Sequence, residues 1–174
     1  ISRRTAGIHR KMIACAIELM LNSGIRVGAV KKIRWRDIRV NPKDNREQQK
    51  RYRIITVPPE NNKTGKEYEC NCEVALILEY LKKISKYTSQ SDLLFCNQND
   101  GKAFSSRIWA DCWKEIIKRS QLEDDTGRRF SYYSLRHTYA TISLANKVPL
   151  QLLASNMDTS TKYIQDHYYH HEPE

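Results

Sequence analysis

The chain reads as an α+β protein, mostly α-helical, with one small antiparallel sheet of about three strands. Three observations predict this. Apolar residues recur at intervals of three and four through several long segments, the period of a helix with one buried face. Between residues 35 and 72 polar and apolar residues alternate instead, the period of a half-buried strand. The 174 residues hold no repeat, low-complexity tract or linker, which fits one domain with a real core.

Residues from about Thr5 to Asn22 form the first expected helix, because Ile8, Met12, Ala16, Leu19 and Met20 recur at helical spacing. Ser23-Gly24 ends it, glycine being the usual residue just past a helix. A short second helix runs from near Val27 to near Ile33. Trp35 to Val40 and Arg51 to Val57 are expected strands, separated by a polar, proline-containing loop from Asn41 to Lys50. Pro58 to Lys66 reads as a turn, and Glu67 to Cys72 as the returning strand. Glu73 to Tyr87 is an amphipathic helix with Val74, Ile77, Leu78, Leu81 and Ile84 on one face. Leu93-Leu94-Phe95 is a short buried piece and Asn99-Asp100-Gly101 a turn. Ser105 to Ser120 is a second clear helix, capped by Ser105 or Ser106, with Ile108, Cys112, Trp113, Ile116 and Ile117 inward. A basic loop, Gly127-Arg128-Arg129, follows. Ser134 caps a helix to about Asn146, Pro149 fits the first turn of the next, and Thr159 or Ser160 caps a last one carrying Tyr163 and Tyr168.

The formal charge is +10, from 30 Lys+Arg against 20 Asp+Glu, and the basic residues are spread along the chain. A folded surface with a positive face suits a polyanion such as DNA; charge alone fits equally a basic protein with no such partner. Five cysteines without repeated spacing do not form a disulfide framework, and Cys70-x-Cys72 has the wrong spacing for a metal knuckle. On a strand those two share a face, so they read as buried, reduced thiols of an intracellular protein. No apolar run approaches a membrane span and no signal peptide opens the chain. The start at Ile1 rather than Met reads as a fragment of something longer.

Three short motifs carry the chemistry. Arg26 lies in Asn22-Ser23-Gly24-Ile25-Arg26-Val27-Gly28, Arg136 in Tyr133-Ser134-Leu135-Arg136-His137-Thr138-Tyr139-Ala140-Thr141, and Tyr168 in Ile164-Gln165-Asp166-His167-Tyr168. Either arginine alone reads as a salt-bridge partner. Two guanidiniums on one phosphate beside a phenol are suited to cutting and resealing a nucleic-acid backbone, since the arginine fork matches phosphate geometry and stays charged. His167, His170 and His171 stand at i, i+3 and i+4 but lack further ligands at metal spacing, so they read as a solvated face and no metal is expected.

On these residues the chain resembles the tyrosine recombinases, the phage integrase family. Ser23-Gly24-Ile25-Arg26 is similar to the family's Thr-Gly-Leu-Arg box, and Ser134 to Thr141 is similar to its His-x-Leu-Arg-His-Thr-Phe-Ala-Thr box. Asn61-Asn62-Lys63-Thr64-Gly65-Lys66 looks like the family's Lys-Thr-Gly turn between two strands, and Asn156 to Ser160 stands where the family shows Leu-Gly-His-Ser. The spacing from Arg136 through Thr159 to Tyr168 agrees with the family's pattern. Tyr163 and Tyr169 compete with Tyr168 for the same role, and the spacing favours Tyr168.

The resemblance implies a tyrosine recombinase catalytic-domain fold over residues 1–174, without the N-terminal domain that clamps DNA in the family. It implies that Tyr168 attacks a phosphate, that Arg26 and Arg136 hold the phosphate oxygens, and that Lys63 protonates the leaving oxygen, with Lys66 as runner-up. Tyr133 stands where the family most often has His, Thr159 replaces the family's His or Trp, Asp158 replaces a glycine, and Ala29 replaces an acidic residue, so that Arg26 needs another orienting partner. Lys31, Lys32, Arg34, Lys66, Arg128, Arg129 and His137 are candidates for DNA contact. Double-stranded DNA is the implied partner, with a homotetramer on paired sites for the full-length protein and a monomer for a fragment. No cofactor is implied, and the location is wherever the target DNA is, host cytoplasm or nucleoid. The implied function is integration or recombination by an enzyme of a virus or mobile element. A DNA-binding module that has lost catalysis and a type IB topoisomerase-like enzyme are the alternatives.

Overall fold

The computed structural model of the chain describes residues 3–122 and 130–168. Helix α1, Arg3–Ser23, is followed by a single short turn of helix, α2, Val27–Val30. Gly24 separates them at φ +67°, with its N–H on the carbonyl of Met20 (2.9 Å). A three-residue 3-10 turn at Trp35–Asp37 leads into β1, Ile38–Arg39, then α3, Arg46–Arg51, β2, Tyr52–Val57, and β3, Tyr68–Glu73. The remaining helices are α4, Ala75–Ile84; α5, Ser106–Ser120; α6, Tyr132–Ala145; α7, Leu150–Asn156; and α8, Thr161–Tyr168. The α+β class and the three-stranded antiparallel sheet, in the order β1-β2-β3, are as the sequence predicts.

Four local expectations need correction. The strand expected from Trp35 to Val40 is two residues long, because Asp37 accepts a hydrogen bond from the N–H of Arg34 (2.8 Å) and rolls Trp35–Asp37 into a 3-10 turn. The expected loop from Asn41 to Lys50 holds helix α3. Asn45 and Gln48 form a reciprocal cap there, each side chain accepting from the other's backbone N–H (2.9 and 3.0 Å). Helix α4 stops at Ile84 rather than Tyr87, since the Ser85 hydroxyl takes the N–H of Tyr87 (3.1 Å) and turns the chain away. Helix α6 is capped by Ser131, not Ser134, which instead closes the capping box from the third helical position (3.0 Å).

The main core packs α1 against the sheet's inner face and α4. Met12, Ile13, Ala16 and Leu19 meet Ile55, Val57, Cys70, Cys72, Leu78 and Leu81 there. Cys70 and Cys72 share that face, as strand alternation requires, and both are free thiols. Trp109 is the buried residue of α5, whereas Ile108, Cys112, Trp113, Ile116 and Ile117 are only half-buried. A second, smaller cluster joins α6, α7 and α8 through Ala140, Leu153, Ala154, Met157, Ile164 and Tyr168. The two cores meet where α6 packs on α1 and α7 on β3.

Candidate active site

Arg26 stands at the junction of α1 and α2, on a turn the sequence fixes tightly. The buried Ser23 hydroxyl accepts the N–H of Ile25 (3.2 Å), and Arg26 itself is extended, its carbonyl accepting the N–H groups of Ala29 (2.9 Å) and Val30 (3.1 Å). Its guanidinium is therefore aimed away from the helix. One nitrogen donates to the carboxylate of Asp158 (Nη1–Oδ2 3.1 Å) and the other to the backbone carbonyl of the same residue (3.2 Å). The orienting partner that Ala29 does not provide comes from the turn between α7 and α8.

Arg136 lies in the second turn of α6 and is 3 % exposed. Its two terminal nitrogens donate to the carbonyls of Gly24 (2.6 Å) and Met157 (2.5 Å). One side chain thus ties the first arginine's turn to the segment that carries Asp158 and Thr159, and three distant stretches of sequence converge. Burial, then the field of Arg26, lower the pKa of Arg136 from its ordinary value; a guanidinium starts so high that it keeps its proton.

Tyr168 is the last residue of α8 and is 5 % exposed. Its ring lies 5.3 Å from that of His137 and 6.5 Å from that of Tyr163. Burial, with Tyr133 and Tyr163 nearby, pushes its phenol up to about 12, and Arg136 pulls it partly back. Three buried side-chain atoms have no hydrogen-bond partner among the described residues: Tyr168 Oη, Arg136 Nε and Tyr68 Oη. Tyr68 is on β3, two residues before Cys70, whose thiol donates to the carbonyl of Ser23 (3.3 Å). Both arginines act electrostatically on its hydroxyl. The three unpaired donors thus gather around the arginine pair, where an oxyanion's lone pairs would satisfy them.

Tyr133 is 44 % exposed, with its hydroxyl 3.4 Å from that of Tyr163 and its ring 4.8 Å from that of His137. It lines, with Arg26, Lys32, Asn62 and Lys63, an open groove of about 470 Å³. Lys63 is exposed on the hairpin between β2 and β3, and none of the ion pairs among the described residues includes it. Lys66, also exposed, closes the same hairpin, its carbonyl accepting from Asn62 (2.7 Å). Thr159 is half-buried, its amide spent on the carbonyl of Ala154 (3.0 Å). His137 is half-buried, and burial, Arg136 and His167 together lower its pKa, so the ring is neutral at pH 7.

Of the residues expected to contact DNA, Lys32 opens onto the groove. Lys31 lies over the Trp109 ring (5.1 Å to its centre), and burial lowers its pKa. Arg34 donates to the carbonyl of Ser91 and so ties a loop down instead of reaching out. Arg128, Arg129, Tyr169, His170 and His171 lie outside the described residues. Among the described residues no group of three His, Cys, Asp or Glu side chains is placed to hold a metal ion, and no helix is long and apolar enough to cross a membrane.

Two residues of the site were not legible as such in the sequence. Asp158 stands out only as a misfit in a glycine position, with nothing to say that its carboxylate reaches Arg26. Tyr68 has no motif around it, and strand alternation with Cys70 and Cys72 is the sole hint that it points inward.

Residues 3–174 match the phage integrase family. No curated protein sequence matches the chain. Among solved structures the fold is similar to the XerH site-specific recombinase bound to difH substrate (15 % identity, TM-score 0.66, covering 95 % of this chain and 48 % of that one). It is similar also to a lambda integrase dimer bound to a COC' core site (16 %, 0.67, 100 % and 49 %). A third is the Tn1549 transposon integrase in complex with circular intermediate DNA (16 %, 0.62, 90 % and 53 %). Likeness at such identities speaks for the fold, and the chain spans about half the length of these neighbours.

Proposed function

The chain belongs to the phage integrase family, and from that premise we propose that it is the catalytic domain of a tyrosine recombinase that cuts and rejoins DNA at specific sites. The carrying observation is the convergence of Arg26 and Arg136 on the Met157–Asp158 segment, beside the buried, unpartnered hydroxyl of Tyr168.

In this reading the Tyr168 oxygen attacks the scissile phosphorus, the bond to the 5′-oxygen breaks, and a 3′-phosphotyrosine forms. The phosphodiester's energy is kept in that bond, so resealing needs no ATP. Arg26 and Arg136 hold the non-bridging oxygens and stabilise the charge that grows on them in the transition state. Lys63, on the groove's edge, gives a proton to the departing 5′-oxygen. The phenol must lose its own proton, and its raised pKa makes that loss costly; neutral His137 beside it is the acceptor at hand. Tyr133 supplies a hydroxyl to the phosphate from the groove wall. Thr159 stands where the family's second accessory group would be, beside Asp158. The similar Tn1549 transposon integrase is in complex with circular intermediate DNA, and the XerH and lambda integrase neighbours are bound to a difH substrate and a COC' core site, which supports duplex DNA as the partner here. The match to about half of each neighbour's length supports a clamping domain elsewhere in the full protein; a tetramer on paired sites and an origin in a virus or other mobile element are part of the same reading and rest on the family resemblance alone.

Covalent trapping tests the reading. The protein is mixed with nicked duplexes carrying candidate sites, and a protein–DNA adduct is sought on a denaturing gel. The adduct is expected from the wild type and from Tyr169→Phe, and not from Tyr168→Phe. That variant is expected to fold, because the hydroxyl it removes has no partner among the described residues. DNA binding at a valid site without an adduct, from this domain and from the full-length protein, favours a binding module that has lost catalysis.

A further inference from the structure

Asp158 holds two elements with one oxygen. Its Oδ2 accepts from Arg26 Nη1 (3.1 Å) and from the hydroxyl of Thr64 (3.1 Å), the residue after Lys63. Thr64 is committed from its other side as well: its oxygen accepts from Asn62 Nδ2 (2.7 Å), and the same Asn62 nitrogen donates to the carbonyl of Lys66 (2.7 Å). A chain of donors therefore runs from the hairpin that carries Lys63, through Asn62 and Thr64, to Asp158 and Arg26. It links residues 94 and 132 positions apart in sequence.

The backbone at Asp158 makes the contact more telling. It has φ +47°, a left-handed conformation that glycine adopts freely and aspartate only at some cost. Glycine would be the easier residue here, and an acid held in strained geometry needs a compensating role. The side chain is 16 % exposed, so its charge is only partly screened. Lys63 itself is exposed and makes no ion pair among the described residues. A long, flexible ammonium gains aim only from the backbone that carries it.

We propose that Asp158 is a positioning residue. By accepting from Thr64 it fixes the hairpin that presents Lys63, and by accepting from Arg26 it aims the first arginine, so the proton donor and one phosphate clamp are set by a single carboxylate. This rests on the recombinase reading given above.

Two measurements test it. The first needs no DNA: amide hydrogen exchange at Thr64 and Gly65, in Asp158→Gly, Thr64→Val and the double variant. Asp158→Gly removes the carboxylate while easing the backbone, and Thr64→Val keeps the residue's shape. Each single variant is expected to speed exchange about fivefold, the worth of one net hydrogen bond, and the double variant to add nothing. Unchanged exchange, or additive effects, would overturn the link. The second compares trapping rates on an ordinary nicked duplex and on one whose 5′-bridging oxygen is sulfur, a leaving group that needs no proton. Thr64→Val is expected to slow the oxygen substrate at least as much as it loosens the hairpin and to leave the sulfur substrate near the wild-type rate. Equal slowing of both substrates, or of neither, overturns the positioning of Lys63. A wild type that forms no adduct speaks against the recombinase reading instead, and the exchange measurement still decides whether Asp158 clamps the hairpin.

Discussion

The two cores are unequal, and the candidate site is divided between them. Arg26 grows from the larger, where α1, the sheet and α4 bury long apolar side chains on several sides. Tyr168 belongs to the smaller, whose buried members are two alanines, Leu153, Met157, Ile164 and Tyr168 itself. Even with the partly buried Tyr139, Leu144, Val148, Leu150 and Tyr163 packed around them, that is few fully buried side chains for three helices. The smaller region draws its order from the larger, through α6 on α1, α7 on β3, and the bonds of Arg136. In the proposed recombinase reading the phosphate clamp is then rooted in the firm region and the nucleophile carried by the dependent one, an arrangement in which the tyrosine can shift while the arginine turn stays in place.

Breaking the tie should have the largest effect. Arg136→Ala removes two donors to buried carbonyls and leaves Gly24 and Met157 unsatisfied in a dry interior. The expected loss is about 3 kcal/mol or more. Chemical denaturation would register it as a lower midpoint, and the small-core helices should lose amide protection before α1 and α4. Arg136→Lys, with a single compact ammonium, should recover less than half of it because it cannot span both carbonyls. Equal loss of protection in both regions would mean that the chain unfolds as one unit and that the division is only geometric.

The seam itself can be tested at Gly24. A methyl group built there would lie 2.3 Å from Cδ1 of Tyr139 on α6, and the backbone is at φ +67°. Gly24→Ala therefore meets both strain and a ring that must move, at about 2 kcal/mol or more. Gly28, four residues on in α2, has nothing within 4 Å of such a methyl. Gly28→Ala should be neutral or slightly stabilising by thermal melting. Equal tolerance of both substitutions would show that α6 is free to slide on α1.

How much of this was legible follows the same division. The firm region announced itself: the stripe Met12-Ala16-Leu19, the glycine stop and the alternation through β2 and β3 are local signals, and the structure places them as read. Helix α3 was missed because its signal is a polar capping box, Asn45 with Gln48, and not an apolar face. In the dependent region the motifs around Arg136 and Tyr168 are recognisable as chemistry, yet their partners are not. The Arg136 bonds run to backbone carbonyls of Gly24 and Met157, which any residue offers, so no side-chain identity encodes them. Asp158 shows the limit from the other side: a residue that looks like a defect in a turn becomes a ligand of Arg26 only when α7 has docked on β3.

The smallest expected effect is a pH dependence that touches each region through one histidine. His9 of α1 is 3 % exposed and accepts the N–H of Gln98 on its ring nitrogen (3.0 Å), so a proton added there destroys a buried bond. Burial lowers its pKa, with Asp100 pulling partly the other way. His137 of α6 is lowered too, by burial, Arg136 and His167. In both the folded state binds its proton less readily than the unfolded chain, so the stability they contribute is present above the ordinary histidine pKa of about 6.5 and is lost as pH falls below it. A decline in stability between pH 7 and 5 is therefore expected from His9. His9→Leu should flatten that decline in the melting of α1 and its neighbours, whereas His137→Gln should flatten it only in amide protection of the small-core helices. If either substitution flattens the decline in both regions, the seam at Gly24 and Arg136 couples the two cores tightly enough that they share one titration.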